Sequence, residues 1–227
     1  MNRFVFLAGI VMLLLVSGNV SGSWWDTDWS NRIPITLKTS NILSSPVTDD
    51  FVIPIDINSD QATFWAEIQA DGDDIRFVSS DDVTEYDFHF EDFNYAFEDL
   101  NAWVKVTDTF PSATDLLMYV YFRNAGASTA QDEQATYAGT DYNAVWHMAD
   151  NNVTGQHNST ADEYNLNHVF TPTVLQPGQI SEGIKYESTN SELSDNETVL
   201  SAETTQLSIL FWVKKPTQWD SSSTPGE

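Results

Sequence analysis

Short runs of apolar residues, several of them alternating with polar ones, recur through the first half of the chain. "IPITL" (33–37), "FVIPIDI" (51–57), "IRFV" (75–78), "FHFE" (88–91), "AWVKV" (102–106) and "LLMYVYF" (116–122) are rich in β-branched and aromatic side chains. Runs of this length and composition predict strands buried on at least one face. Between them lie "ADGDD" (70–74), "SSDD" (79–82) and "FPSATD" (110–115), clusters of the small, acidic and proline residues that favour turns. Many short strands punctuated in this way predict an all-β sandwich. Pro34 and Pro54 fall inside two of the runs, and because proline cannot donate to a ladder, each strand is expected at a sheet edge or with the proline nitrogen facing away from its neighbour. One stretch breaks the strand period. "SDQATFWAEIQA" (59–70) sets Phe64, Trp65 and Ile68 on one helical face, with Ser59 or Asp60 able to cap the first turn.

The pattern changes after residue 123. "NAGASTAQDEQATYAGTD" (124–141) is small, polar and glycine-bearing, and reads as a join between two domains, part of which can form a short helix on the first. "YNAVWHMAD" (142–150) then predicts a fresh strand, followed by a polar loop to residue 168 and by a buried strand at Leu207–Val213. The expected organisation is a β-sandwich over 23–137 and a second, truncated sandwich over 138–227.

The N-terminus adds a processing signal. Arg3, an apolar run from Phe4 to Val16 and a small-residue stretch ending at Gly22 have the parts of a secretory signal peptide, expected over residues 1–22. The run is well short of the roughly 20 residues that span a bilayer as a helix, and the alternative to cleavage is an uncleaved N-terminal anchor. The expectation is an exported protein, secreted or surface-attached, with any membrane anchor lying outside residues 1–227.

Charge narrows the partners. The chain holds 34 acidic against 9 basic residues, a net −25, and removal of a leader carrying one arginine and no acid leaves 8 − 34 = −26. Nucleic acid rewards basic patches and is excluded as a natural partner. The acids are dispersed and aromatics abundant, so the charge reads as a solvated surface rather than as disorder. There is no cysteine, which removes disulfides, thiol catalysis and cysteine zinc sites.

Candidate chemistry is sparse. Trp24, Trp25 and Trp29 cluster ahead of the first strand, where they either pack against the sandwich or offer flat faces to a sugar ring. Arg76 is expected to pair with Asp74 or Glu91. His89 and Glu91 share a strand face, which reads first as hydrogen-bonded structure, and the histidines at 89, 147, 157 and 168 show no ligand spacing. Glu192 and Asp195 lie three apart and so on opposite strand faces, unlike a paired-carboxylate glycosidase strand. With no nucleophile elbow, zinc helix, phosphate loop or EF-hand loop, no catalytic residue is assigned and no enzyme is expected within these 227 residues. Asn152, Asn158 and Asn196 begin glycosylation sequons.

In order and spacing, "WWDTDWSNRIPITL", "DGDDIRF", "AWVKV" and "LLMYVYFRNAGA" resemble the domain-of-unknown-function 2341 family, a β-sandwich module of exported bacterial and archaeal proteins. The resemblance implies that the tryptophans strap the N-terminus across the sandwich. "AVWHMAD", "NSTADEYN", "GQISEGIKYES" and "LSILFWVKK" resemble the first half of a concanavalin A-like jelly roll of the laminin-G type. That likeness implies calcium on a rim loop, with Asp150, Asn151, Asn158 and Asp162 as ligands. The function expected is recognition of an extracellular glycan or surface protein, carbohydrate-binding or adhesive. The alternatives are a structural or accessory ectodomain of a proton-channel-like envelope complex, and the binding half of a larger extracellular glycan-degrading enzyme.

Overall fold

The computed structural model describes residues 24–152, 154–160, 165–168, 173–177, 182–185 and 193–195. All six apolar runs contain strands: β1 (Asn31–Leu37), β2 (Phe51–Ile57), β3 (Arg76–Ser79), β5 (Phe88–Asn94), β6 (Asp99–Val106) and β7 (Leu116–Phe122). A two-residue strand, β4 (Glu85–Tyr86), joins them. They build two antiparallel sheets, β1-β7-β3-β4 and β2-β6-β5, whose inner faces meet. Ile35, Ile55, Phe77, Leu100, Val104, Met118 and Val120 are at most 1% exposed and share one core. The protein is therefore an all-β sandwich.

Pro34 lies opposite Tyr119 in β1 and Pro54 opposite Trp103 in β2, and both strands are sheet edges, where a missing donor is tolerated. The helix α1 (Ala62–Glu67) is shorter than the sequence pattern suggests. Ser59 and Asp60 do not cap it: Gln61 occupies the cap without a side-chain bond, and Asn58 holds the entry by accepting from the Asp60 and Gln61 amides. The helix stops because Ile68 turns extended to reach the core beside Phe64 and Trp65.

Each sheet also has an outer face to cover. On the first, Trp29, Val78, Tyr119 and Tyr121 form a second cluster, with Trp25 packed against it. Trp29 Nε1 donates to the Asp74 carbonyl at 2.6 Å, and the Trp25 ring centre lies 5.0 Å from that of Trp29. Trp24 lies edge-on to Tyr121 at 5.2 Å and is 37% exposed. Arg76 does not take either expected partner. It pairs with Glu85 at 3.2 Å and donates to the carbonyls of Asp73, Ile75 and Ser128. Asp74 is occupied by the amides of Gln69, Arg123 and Asn124, and Glu91 belongs to the other sheet.

On the second sheet, strand β5 is an edge, and the chain beyond β7 covers it. Gln131 Oε1 accepts from the Phe90 amide at 2.9 Å, and the Asp132 amide donates to the Phe88 carbonyl at 2.9 Å. Asp132 then caps α2 (Glu133–Tyr137) by accepting from the Ala135 amide at 2.8 Å, and α2 packs on β5 and β6. The join thus contains the short helix its composition allowed.

Residues 142–150 are not a strand. Side chains take the place of a ladder: Asn158 Oδ1 accepts from the Val145 amide at 2.8 Å and Gln156 Oε1 from the Asp150 amide at 3.0 Å, while the Ser159 amide donates to the Val145 carbonyl. Beyond them lie only short ladders among the described residues, β8 (Gly155–Gln156), β9 (Leu166–His168) and β12 (Leu193–Asp195) in one, β10 (Thr173–Pro177) and β11 (Glu182–Lys185) in another. The leader expected at 1–22 and the strand expected at Leu207–Val213 lie outside the described residues.

Candidate functional site

Alternation along β5 places Phe88 in the core and turns His89 to the outer face, opposite Trp103 of β6. The register then slips. Phe90 pairs with Ala102 but Asp92 with Asn101, so Glu91 is an extra residue, a β-bulge. Glu91 follows His89 by two positions, so strand alternation sets both on the outer face, beside Trp103. Its Oε2 accepts from Trp103 Nε1 at 2.8 Å and also meets Nδ1 of His147.

His147 arrives from the segment held by Asn158 and Gln156. Its ring lies 5.0 Å from His89, 5.8 Å from Trp103 and 6.1 Å from Tyr137, centre to centre. The next residue, Met148, has φ +62°, in the left-handed region that costs an ordinary side chain about 1–2 kcal/mol. One ligating atom from each of His89, Glu91 and His147 lies within 4.8 Å of the other two.

The three groups differ in how they are satisfied. Glu91 and His147 bond to each other, and each has a further neighbour, Trp103 for Glu91 and Tyr137 for His147. His89 is 6% exposed, yet neither ring nitrogen has a hydrogen-bond partner. Burial, aided by the nearby His147, pushes its pKa down to about 4, so it is a neutral imidazole at pH 7.

A fourth residue group stands at the rim. His157 lies between Asp150, 2.8 Å from Nδ1, and Glu133, 3.0 Å from Nε2. Burial works against its charge, but the hydrogen bonds and fields of these two carboxylates hold its pKa above the ordinary histidine value. Glu133 responds in the opposite sense: burial would raise it, and hydrogen bonds and positive charge, His157 included, leave it low. His157 is thus held at both ring nitrogens by carboxylates. All these groups border one open cavity of about 370 Å³, lined also by Phe90, Gln131, Met148 and Ala149.

Of the residues singled out from sequence, Trp29 is buried in the strap, Trp25 is half-buried beside it, and Trp24 is the most exposed. Asp150 clasps His157, Asn151 is exposed, and Asn158 points inward at 8% exposure, spanning Val145 and Thr160 with its amide. Asp162 and Asn196 lie outside the described residues, and Asn152 is exposed, its side chain accepting from Thr154. Sequence reasoning noticed the shared face of His89 and Glu91 but not the arrival of His147 and His157, more than fifty positions downstream. The only local signal was the His-x-Glu spacing on a strand.

Fold and site together define an antiparallel β-sandwich with an imidazole–carboxylate cluster on one outer face. Residues 71–159 match the family model described as Domain of unknown function (DUF2341). That stretch contains all of His89, Glu91, Glu133, His147, Asp150 and His157, and it runs through position 138. No curated protein and no solved structure matches the chain, and no match supports the concanavalin A-like resemblance of its later part.

Proposed function

We propose that the chain is the recognition part of an exported or surface-displayed protein, non-catalytic itself, and that it binds extracellular glycan. The observation that carries this reading is the cavity beside β5, open to solvent on a rigid sandwich, where Glu133, Asp150, Gln131 and His157 converge. Carboxylate and amide oxygens placed on a fixed scaffold suit sugar hydroxyls. The sequence supports the same reading through its leader and its dispersed acidic surface. Residues 138–227 enter it as the beginning of a concanavalin A-like jelly roll, and calcium as an ion of its rim loop.

The test is retention of the whole chain on a panel of soluble polysaccharides, followed by calorimetry on those that bind. Glu133→Gln and Asp150→Asn should each weaken binding more than tenfold, as expected for hydrogen bonds to charged groups, worth about 1.5–3 kcal/mol. Binding unaffected by both substitutions, or no glycan retained at all, rejects the proposal.

A further inference from the structure

We propose that His89, Glu91 and His147 bind a divalent transition-metal ion of the zinc class, through two imidazole nitrogens and one carboxylate oxygen. The inference stands without the glycan reading, since an ion can be held there whether or not a sugar enters the cavity.

Two observations converge on it. The first is geometric. Ligating atoms of the three side chains lie within 4.8 Å of one another, close enough for one ion to reach all of them. The second is the state of His89. A buried polar group left without a partner costs about 1–3 kcal/mol, and a phenylalanine would fill the same place among Trp103, Tyr137 and His147 at no such cost. Two unpartnered nitrogens on a side chain 94% removed from solvent, beside a carboxylate and a second imidazole, are what a ligand lacking its ion presents.

The neighbours decide the coordination. His157 is engaged by Asp150 and Glu133 at both ring nitrogens, so it stands outside the ligand set. Trp103 Nε1 holds Glu91, and Tyr137 Oη lies 3.4 Å from His147 Nε2, the kind of outer contact that orients metal ligands. Three protein ligands leave a tetrahedral ion one position, facing a cavity bordered by Glu133 and Asp150. Two imidazoles favour zinc, iron, cobalt or nickel, whereas calcium and magnesium seek oxygen alone. The ion would tie the strandless segment 142–150 to β5, so metal binding and order in that segment should rise together.

The experiment is metal titration of the whole chain, stripped with chelator and re-equilibrated with Zn²⁺ or Co²⁺. Expected are uptake of one equivalent with micromolar or tighter affinity, a rise in melting temperature, visible Co²⁺ bands of nitrogen ligation, and no comparable response to Ca²⁺. His89→Phe keeps the ring volume and removes the ligand. It should preserve or raise the melting temperature of the stripped protein while abolishing both the metal-induced rise and the Co²⁺ bands. Glu91→Gln and His147→Gln should weaken binding at least about tenfold, and His157→Gln should change it less than threefold. Failure of the folded wild-type chain to take up Zn²⁺ or Co²⁺ overturns the proposal. So does weak uptake at several sites that His89→Phe and His147→Gln leave unaltered, which would be the acidic surface alone.

Discussion

Trp29 is the residue on which the N-terminal strap depends, and its removal gives the sharpest test of how the first sheet is covered. The indole is buried at 9% exposure between Val78, Tyr119 and Tyr121, donates to the Asp74 carbonyl at 2.6 Å and lies 5.1 Å from the Arg76 guanidinium. A buried aromatic of this kind removes roughly 150–250 Å² from water. At about 25 cal/mol per Å² that is roughly 4–6 kcal/mol as an upper estimate, in line with about 3–5 kcal/mol for truncating a buried Trp to Ala. Trp29→Phe keeps most of the ring but loses the hydrogen bond, a cost of about 1 kcal/mol before repacking. Trp25 is half-buried, and Trp25→Ala should cost about 1–2 kcal/mol by the same area argument. Trp24→Ala should cost less than either, because Trp24 is the most exposed of the three. Urea unfolding followed by far-ultraviolet circular dichroism measures all four variants, with the denaturant slope checked for constancy. The order Trp29, Trp25, Trp24 is the content of the reasoning. Equal losses at the three positions, or a loss below about 1 kcal/mol for Trp29→Ala, would refute it, and the cluster would then read as a surface platform.

Two further outcomes follow from particular contacts. Gly72 has φ +75°, and a β-carbon there would lie 2.9 Å from Phe90 and 3.1 Å from Phe93, so Gly72→Ala should destabilise by at least about 1–2 kcal/mol in the same unfolding assay. Asp56 and Asp92 flank Asn101 across three strands, and burial together with repulsion from Asp99 raises both their pKa values. A raised carboxylate imposes no folding penalty when protonated in both states, and the penalty grows as pH climbs through the unfolded and then the folded pKa. Asp56→Asn should therefore stabilise at pH 7, by no more than about 1 kcal/mol for so solvated a group, and the gain should vanish below about pH 4. A gain that persists unchanged at pH 3 would contradict this.

The sandwich was legible because its strands advertise themselves by period and composition. β1, β2 and β7 are dominated by branched and aromatic residues, and Pro34 and Pro54 pointed to two sheet edges before any pairing was known. Elements governed by tertiary contact were less legible. The short α1 ends where Ile68 is drawn into the core, a demand no propensity encodes. "YNAVWHMAD" has the composition of a strand but meets no free strand edge. The amides of Val145 and Asp150 go to the Asn158 and Gln156 side chains, which sequence periodicity does not see. Arg76 was expected to pair with Asp74 or Glu91, yet its partner Glu85 comes from the strand beside β3.

The site was hidden for a related reason, and the reason is structural. β5 is an edge strand, and its exposed amides and carbonyls need cover. Gln131 and Asp132 supply it, and in doing so they fix where α2 begins and the direction in which the chain leaves it. That direction carries residues 142–150 over the outer face of the same sheet, so His147 meets His89 and the bulged Glu91, and His157 closes on Glu133 at the end of α2 nearest the covered edge. Protection of the edge and assembly of the cluster are thus one event. The residues just beyond α2 pack as part of this sandwich's outer layer, which is consistent with a family match that continues through α2 to Ser159. A boundary drawn at the polar join separates Glu91 from His147, and with them the two halves of the cluster.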